Sequence, residues 1–363
     1  MPSLYLKNLN ALRAIAAFMV IIHHIEQFKT HFNLPNIWSN QIIRELGGNA
    51  VSIFFVLSGF LISYLLVHEK RKTSSVSIKK FYVRRVLRIW PLYFILILLG
   101  IILNYYYGDI NLIKNNLFYF LLFVPNLLVA QGTVIMFISH LWSIGVEEQF
   151  YLFWPLASKK LNTKQFFLFM LAIIFVFLLA RNYTFHFYGK NALLKFIDYT
   201  RFDMMAIGGI GALILTEKNS FSLFIKYIIN QKIIQFLIII AFILYFLNLT
   251  DIYRIYFLNN LFFGILITLL LLVLVSKESI LNLEHPIFKT LGNISYGIYM
   301  YHSIVIFFSL KLVLLFVPIS NTFLFNLCLY SSVFMASSII SYISYEKIEK
   351  PFLKLKSKFI VIK

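Results

Sequence analysis

Apolar runs of roughly 20 residues, the length that crosses a bilayer, recur from Leu9 to the region of Pro351, separated by short polar or cationic connections. Alternation with a period of two is missing, which argues against a transmembrane β-barrel. The pattern predicts an all-α, polytopic integral membrane protein with about ten transmembrane helices. The first is expected over Leu9–Ile25, the second over Ala50–Val67, and the third from the arginines at 84–88 to Tyr107. The fourth covers Ser139–Ala157, the fifth ends at Ala180, and the sixth starts at Tyr199 and passes through Gly208, Gly209 and Gly211. The seventh and eighth, Ile233–Asn248 and Tyr256–Val275, are nearly featureless. The ninth starts at Leu291, and the tenth ends at Glu349-Lys-Pro351, where proline stops the helix. Residues 114–130, broken by Pro125-Asn126, are expected to stay outside the bilayer or to dip in and return. No internal repeat of about 20–50 residues and no linker-like stretch is visible, so residues 1–363 are read as one membrane-embedded domain.

Composition agrees: 60% of the residues are hydrophobic and 13% charged, with a mean hydropathy of +0.83. A net charge of +19 would suggest a nucleic-acid partner in a soluble chain, but here it reports topology. With ten spans, 24 of the 33 lysines and arginines fall on the side of the N-terminus and 8 on the other. The positive-inside rule then puts both termini in the cytoplasm, with the bilayer and not nucleic acid as partner. The first apolar run lacks a small-x-small cleavage site and ends His-His-Ile-Glu, so it is read as a retained span. Cys328, the single cysteine, excludes an internal disulfide and a paired-thiol redox site.

The chemistry is concentrated in a few polar positions. Arg13 and His24, eleven residues apart, return to one helix face, about 16 Å apart along the axis at ~1.5 Å per residue. That face passes over the small side chains Ala17 and Val20, a layout suited to an elongated anionic ligand with a reactive tip; an interface anchor and a headgroup-level histidine are the plainer alternative. Arg85 and Arg88 are i,i+3 neighbours whose guanidinium forks suit phosphate oxygens. At Ser58-Gly59 the missing side chain lets another helix or a ligand approach closely. Glu147 and Glu148 lie mid-span, where each charge costs roughly 2.5–3.5 kcal/mol, so they are expected to face an interior cavity. His140, Glu147 and Tyr151 are spaced for one polar face, as are Ser295, Tyr299 and His302. Arg201 and Asp203 either hold a polar acceptor or pair with other helices. No metal-ligand spacing, phosphate-loop glycine pattern or Gly-x-Ser-x-Gly elbow is present.

Six stretches taken in order resemble acyltransferase family 3, the polytopic membrane proteins that include bacterial O-antigen and exopolysaccharide O-acetyltransferases. They are Arg13 with His24, Phe54-Phe-Val-Leu-Ser58-Gly59-Phe-Leu-Ile, Arg85-Val-Leu-Arg88-Ile-Trp-Pro91, His140-Leu-Trp-Ser-Ile-Gly-Val-Glu147-Glu148-Gln-Phe-Tyr, Arg201-Phe-Asp203, and Ser295-Tyr296-Gly-Ile-Tyr-Met-Tyr-His302. The resemblance implies an O-acyltransferase in which His24 is catalytic and Arg13, Arg85 and Arg88 handle the acyl donor. Some members carry a fused extracytoplasmic esterase-like domain, which is not expected here.

The expectation is therefore transfer of an acyl group, most simply acetyl from acetyl-CoA, to a hydroxyl of a cell-surface or lipid-linked glycan. The acyl-CoA acts as co-substrate, with no permanently bound cofactor and no metal. His24 is the catalytic group, with Glu147 or Glu148 orienting it or balancing its charge. Arg201, Asp203, Tyr296 and His302 are acceptor-binding or structural polar residues. The expected location is the bacterial cytoplasmic (inner) membrane. The rival reading is a transporter or flippase for an anionic or acylated substrate, because intramembrane Glu, Arg and His also mark ion pathways.

Overall fold

Lipid offers the backbone no hydrogen-bond partner, so a chain this apolar closes its N–H and C=O groups within helices. The computed structural model, which describes residues 5–247, 256–359 and 361, is helical throughout, and no strand occurs among the described residues. The helices are α1 (Leu9–His31), α2 (Gln41–Thr73), α3 (Ile78–Tyr107), α4 (Ile110–Leu121), α5 (Pro125–Ala130), α6 (Trp142–Lys160), α7 (Thr163–Tyr188) and α8 (Ala192–Thr200). They continue with α9 (Phe202–Thr216), α10 (Ser220–Asn230), α11 (Lys232–Phe246), α12 (Tyr256–Val275), α13 (Pro286–Phe316), α14 (Thr322–Ser344) and α15 (Lys350–Ser357). A 3-10 turn, Ser139–Leu141, leads into α6, and a π turn, Tyr345–Glu349, joins α14 to α15. Local sequence sets many of the starts. Asn40, Asn162, Asn191, Asn219 and Asn321 each accept a backbone N–H from the first turn of α2, α7, α8, α10 and α14, and His285 with Pro286 opens α13.

Among the described residues, seven helices are long and apolar enough to cross a membrane, or eight if α10 and α11, which meet at 81°, are one broken span. The expected ten included two further segments that are helical but fall outside this measure. One is α6, which carries Glu147, Glu148 and two terminal lysines, and the other is α9, with only 15 residues. Helix ends also lie further out than the apolar runs: α2 extends over 33 residues, starting well before Ala50, because Asn40 caps it. The segment 114–130 forms parts of two short helices, α4 and α5, neither of spanning length. The expected end of the seventh span, Asn248, lies outside the described residues.

At the centre, α9 is packed between α2, α7 and α12, and 11 of its 15 residues are buried, as a helix that is apolar all round requires. Glycines permit the approach to α2. A Cβ on Gly59 would lie 1.9 Å from the Met205 carbonyl oxygen, and one on Gly208 would lie 2.0 Å from that of Val56. Helix α1 is fastened at both ends. The Asn8 side chain donates to the Leu274 carbonyl at 2.8 Å and accepts from the Leu283 N–H at 2.7 Å. Near the other end, Lys29 pairs with Glu26 at 2.7 Å and bonds Asn326 of α14 at 3.0 Å, while Tyr330 of α14 donates to Glu26 at 2.7 Å.

Gly59→Ala is expected to lower stability by about 1–3 kcal/mol, because backbone is the obstacle and cannot rotate away. Gly48→Ala, whose Cβ would meet only the end of Arg201 at 3.8 Å, should be neutral. Thermal unfolding of both variants in nanodiscs checks the pair; equal melting temperatures would show that α2 and α9 can separate without cost.

Candidate active site

The Arg13 end of α1 opens onto a cavity of about 250 Å³. Its polar lining includes Ser58 of α2, Arg85 and Arg88 of α3, Glu147 and Tyr151 of α6, and Tyr296 of α13. The floor is apolar, from Phe54, Phe55 and Leu61. Within it a chain of hydrogen bonds runs from Ser58 to Tyr151 at 2.5 Å and from the Tyr151 hydroxyl to Glu147 Oε2 at 2.8 Å. Because Tyr151 gives its proton to the carboxylate, Ser58 must donate to Tyr151.

The three arginines on the first turns of α3 have different surroundings. Arg84 is occupied by Glu69, at 3.0 Å, and by the Phe359 carbonyl, at 2.9 Å. The Arg85 guanidinium lies between the rings of Phe81 and Tyr151, 5.5 Å from each, and its buried Nε has no partner. Among the described residues neither Arg85, Arg88 nor Arg13 makes an ion pair; the one hydrogen bond of the Arg13 guanidinium goes to Asn10 at 3.3 Å. Three half-buried cations thus border one cavity, with Glu147 as the carboxylate that lines it.

The imidazoles stand beside the cavity. Tyr299, on its wall, packs against His140 and His302 with ring centroids 5.6 Å from each. His302 in turn sits 4.7 Å from His24 and 4.6 Å from His140. Main-chain carbonyls, which can only accept, determine the ring tautomers. His24 Nδ1 donates to Val20 at 2.9 Å, His302 Nδ1 to Tyr299 at 2.5 Å, His140 Nε2 to Met300 at 3.1 Å, and His23 Nδ1 to Ile43 at 3.0 Å. The Nε2 of His24 is thereby left as a lone pair. His302 and His140 are buried whereas His24 is half-buried, and His302 Nε2 is buried without a partner.

Several sequence expectations change in this geometry. The ring of His24 is oriented by the Val20 carbonyl and not by a carboxylate, because Glu147 is engaged with Tyr151. Glu148, one residue on and about 100° around the helix, faces away from the cavity and accepts from Trp90 Nε1 at 3.1 Å; its other oxygen is buried without a partner. His140 does not share a face with Glu147 and Tyr151, because it lies in the 3-10 turn before α6 and reaches α13 instead. Tyr296 lines the cavity and donates to the Ile89 carbonyl at 2.9 Å.

Arg201 and Asp203 are both engaged in joining helices. Asp203 takes both arms of the fully buried Arg181, at 2.5 and 3.0 Å. Arg201 donates to the Asp198 carbonyl at 2.8 Å, to the Gly48 carbonyl at 2.9 Å, and to Ser52. Ser143 had no sequence signal: it lines the cavity and donates to the Tyr299 hydroxyl at 2.7 Å. Tyr299 was visible in the Ser295–His302 row, and Tyr151 four residues beyond Glu147. No group of three or more His, Cys, Asp or Glu residues is arranged to hold a metal ion among the described residues.

A family profile described as an acyltransferase domain matches residues 6–345. The chain belongs to the acyltransferase 3 family. Its relatives include a protein named "Putative O-acetyltransferase" from Staphylococcus aureus strain COL, 27% identical over 96% of this chain and 58% of the relative. The peptidoglycan O-acetyltransferase OatA of Listeria monocytogenes is 31% identical over 42% of this chain and 24% of its own length. An uncharacterised Haemophilus influenzae protein is 29% identical over 48% of this chain and 78% of its own. The chain thus spans just over half the length of the staphylococcal relative. No solved structure matches it.

In this acyltransferase 3 chain, Asp203→Ala removes the bidentate partner of the buried Arg181 and leaves its guanidinium only the Nε contact to Asp198 at 3.1 Å, which should cost about 3 kcal/mol. Thermal unfolding and yield of monodisperse protein check it. A stable variant with altered acceptor selectivity would instead return Asp203 to the acceptor site.

Proposed function

We propose that this chain is an integral-membrane O-acyltransferase that moves an acyl group, in the simplest case acetyl from acetyl-CoA, to a hydroxyl of a cell-surface or lipid-linked glycan, with His24 as the catalytic residue. The observation that carries the reading is the His24 ring: its Nδ1 proton is committed to the Val20 carbonyl, so a half-buried Nε2 lone pair stands on the same helix face as Arg13. A neutral imidazole held in one tautomer is what a general base or nucleophile needs.

On this reading the donor phosphates meet Arg85 and Arg88, with Arg13 on the same cavity wall, and the thioester arm has to part the packing over Ala17 and Val20, which are fully buried, to bring its carbonyl to His24. His24 Nε2 takes the proton of the acceptor hydroxyl as the oxygen attacks the thioester carbonyl. The tetrahedral intermediate then collapses, the C–S bond breaks, and the CoA thiolate takes up that proton. In the alternative order, Nε2 attacks the thioester carbonyl and expels CoA thiolate, and the acceptor hydroxyl then attacks the acyl-imidazole, freeing Nε2 as the hydroxyl proton passes to the thiolate. Glu147 supplies the anion that balances the arginines until the donor binds, and Tyr151 and Ser58 hold its position. Glu148 fixes Trp90 on α3, next to the arginine turn. His302 and His140 keep the surroundings of His24 free of carboxylates, and Tyr296 shapes the wall between α3 and α13. The name of the Listeria relative makes a peptidoglycan sugar one member of the acceptor class. The proposed location is the bacterial cytoplasmic membrane.

The test is purified protein in nanodiscs, given labelled acetyl-CoA and a crude glycan extract. Wild type is expected to release CoA and to put label into alkali-labile glycan ester, and His24→Ala to lose at least about 100-fold in rate. CoA release that survives the substitution would move the catalytic centre elsewhere, and no donor turnover would favour transport. Arg85→Gln with Arg88→Gln should raise the donor KM by about tenfold or more while leaving the melting temperature near wild type.

A further inference from the structure

The C-terminal segment has no role in the reading so far, yet it lies against the arginine turn. Helix α15 packs on α3, and the Arg84 guanidinium holds the Phe359 carbonyl at 2.9 Å just beyond the end of α15. Three lysines at alternate positions precede Phe359: Lys354 and Lys356 within α15, and Lys358 just after it. Lys354 and Lys358 are exposed, while Lys356, about 200° around the helix from either, is turned inward. The cations within its electrostatic reach are Arg88, Arg85, Arg84 and Arg13. Among the described residues the Lys356 ammonium makes no ion pair or hydrogen bond.

Five cations therefore gather at one end of the cavity. Of the carboxylates near them, Glu69 pairs with Arg84, Glu147 is bonded to Tyr151, Glu148 accepts from Trp90 and acts electrostatically on Arg85, and Glu349, in the π turn that leads into α15, has a buried oxygen without a partner and acts electrostatically on Arg88. One positive charge remains in excess even when all four carboxylates are ionised. Like charges brought together repel, and a cluster of this kind is at equilibrium with an anion that offsets it. Position along the cluster separates the roles: Arg13, Arg85 and Arg88 line the cavity, and Lys356 stands outside its lining.

We infer that Lys356 is a donor-binding residue and that α15 forms the outer wall of the donor site, where the Lys356 ammonium meets the outermost phosphate of a nucleotide thioester. This rests on the proposed use of acyl-CoA. In that donor the pyrophosphate precedes the thioester arm, while a separate phosphomonoester on the ribose, carrying about two negative charges near neutral pH, lies farthest from the reacting carbon. The inner phosphates then fall to Arg85 and Arg88 and the phosphomonoester to Lys356.

The test is direct binding of CoA and of 3′-dephospho-CoA to the full chain in nanodiscs, both zwitterionic and anionic, comparing Lys356→Gln with Lys354→Gln and Lys358→Gln. All three substitutions remove one charge from the same segment, so a general effect of charge or of lipid attraction would be shared. Lys356→Gln alone is expected to weaken CoA binding roughly tenfold, to leave 3′-dephospho-CoA binding unchanged, and so to abolish the preference between them in either lipid. Equal effects of the three substitutions, equal losses for the two ligands, or a loss confined to anionic nanodiscs would overturn the inference. If Arg85→Gln with Arg88→Gln still weakens CoA binding, the donor reading survives that failure. Wild type that binds no CoA would overturn both.

Discussion

The close approach of α2 to α9 is the constraint from which the rest of the architecture follows. Two glycines, Gly59 and Gly208, bring backbone against backbone, a distance that no side chain could bridge. With Gly59 pressed on Met205, the preceding residue, Ser58, lies about 100° around the helix and reaches Tyr151. The cavity side of α2 is thus set by what its neighbouring side touches. The contact also places α9 where Arg201 can reach back to Gly48 and Ser52 of α2, so a packing requirement and a polar latch act on the same pair of helices.

Charge in the interior falls into two groups. In one, each cation is matched: Arg181 with Asp203 and Asp198, Lys29 with Glu26, Arg84 with Glu69. Such pairs add little net stability over an apolar replacement, but losing one partner is costly, so they hold helices in register. In the other group Arg13, Arg85 and Arg88 share a cavity without forming ion pairs. Among the described residues these three lack the carboxylates that hold Arg181, Lys29 and Arg84 and the main-chain carbonyls that hold Arg201, and on the proposed reading the donor phosphates supply the missing anion.

The helices were legible because lipid imposes one length and one polarity on a spanning segment, and that signature survives in a single sequence. The convergence of Arg13, Arg85, Arg88 and Glu147 was legible in part, since charges at apolar positions must face inward. What escaped was set by contacts between distant residues. Nothing near Arg84 in sequence marks Glu69 as its partner, and the adjacency of Glu147 and Glu148 hides that one lines the cavity and bonds Tyr151 while the other turns out of it to Trp90. His140 was assigned to a helix face because the 3-10 turn that redirects it leaves no periodic trace. Arg201 and Asp203 carried two readings in sequence, and only the position of Arg181 on another helix distinguishes them.

The fastening of α1 bears on the proposed chemistry in a further way. Asn8 ties its beginning to the loop before α13, and Glu26 and Lys29 tie its far end to α14. A helix clamped at both ends keeps a constant length between Arg13 and His24. That makes α1 a ruler: a thioester whose charged head and reactive carbon are separated by more or less than this span cannot engage both residues at once. Choice among donors would then be made by reach along a rigid rod, independently of how well any pocket fits the acyl group.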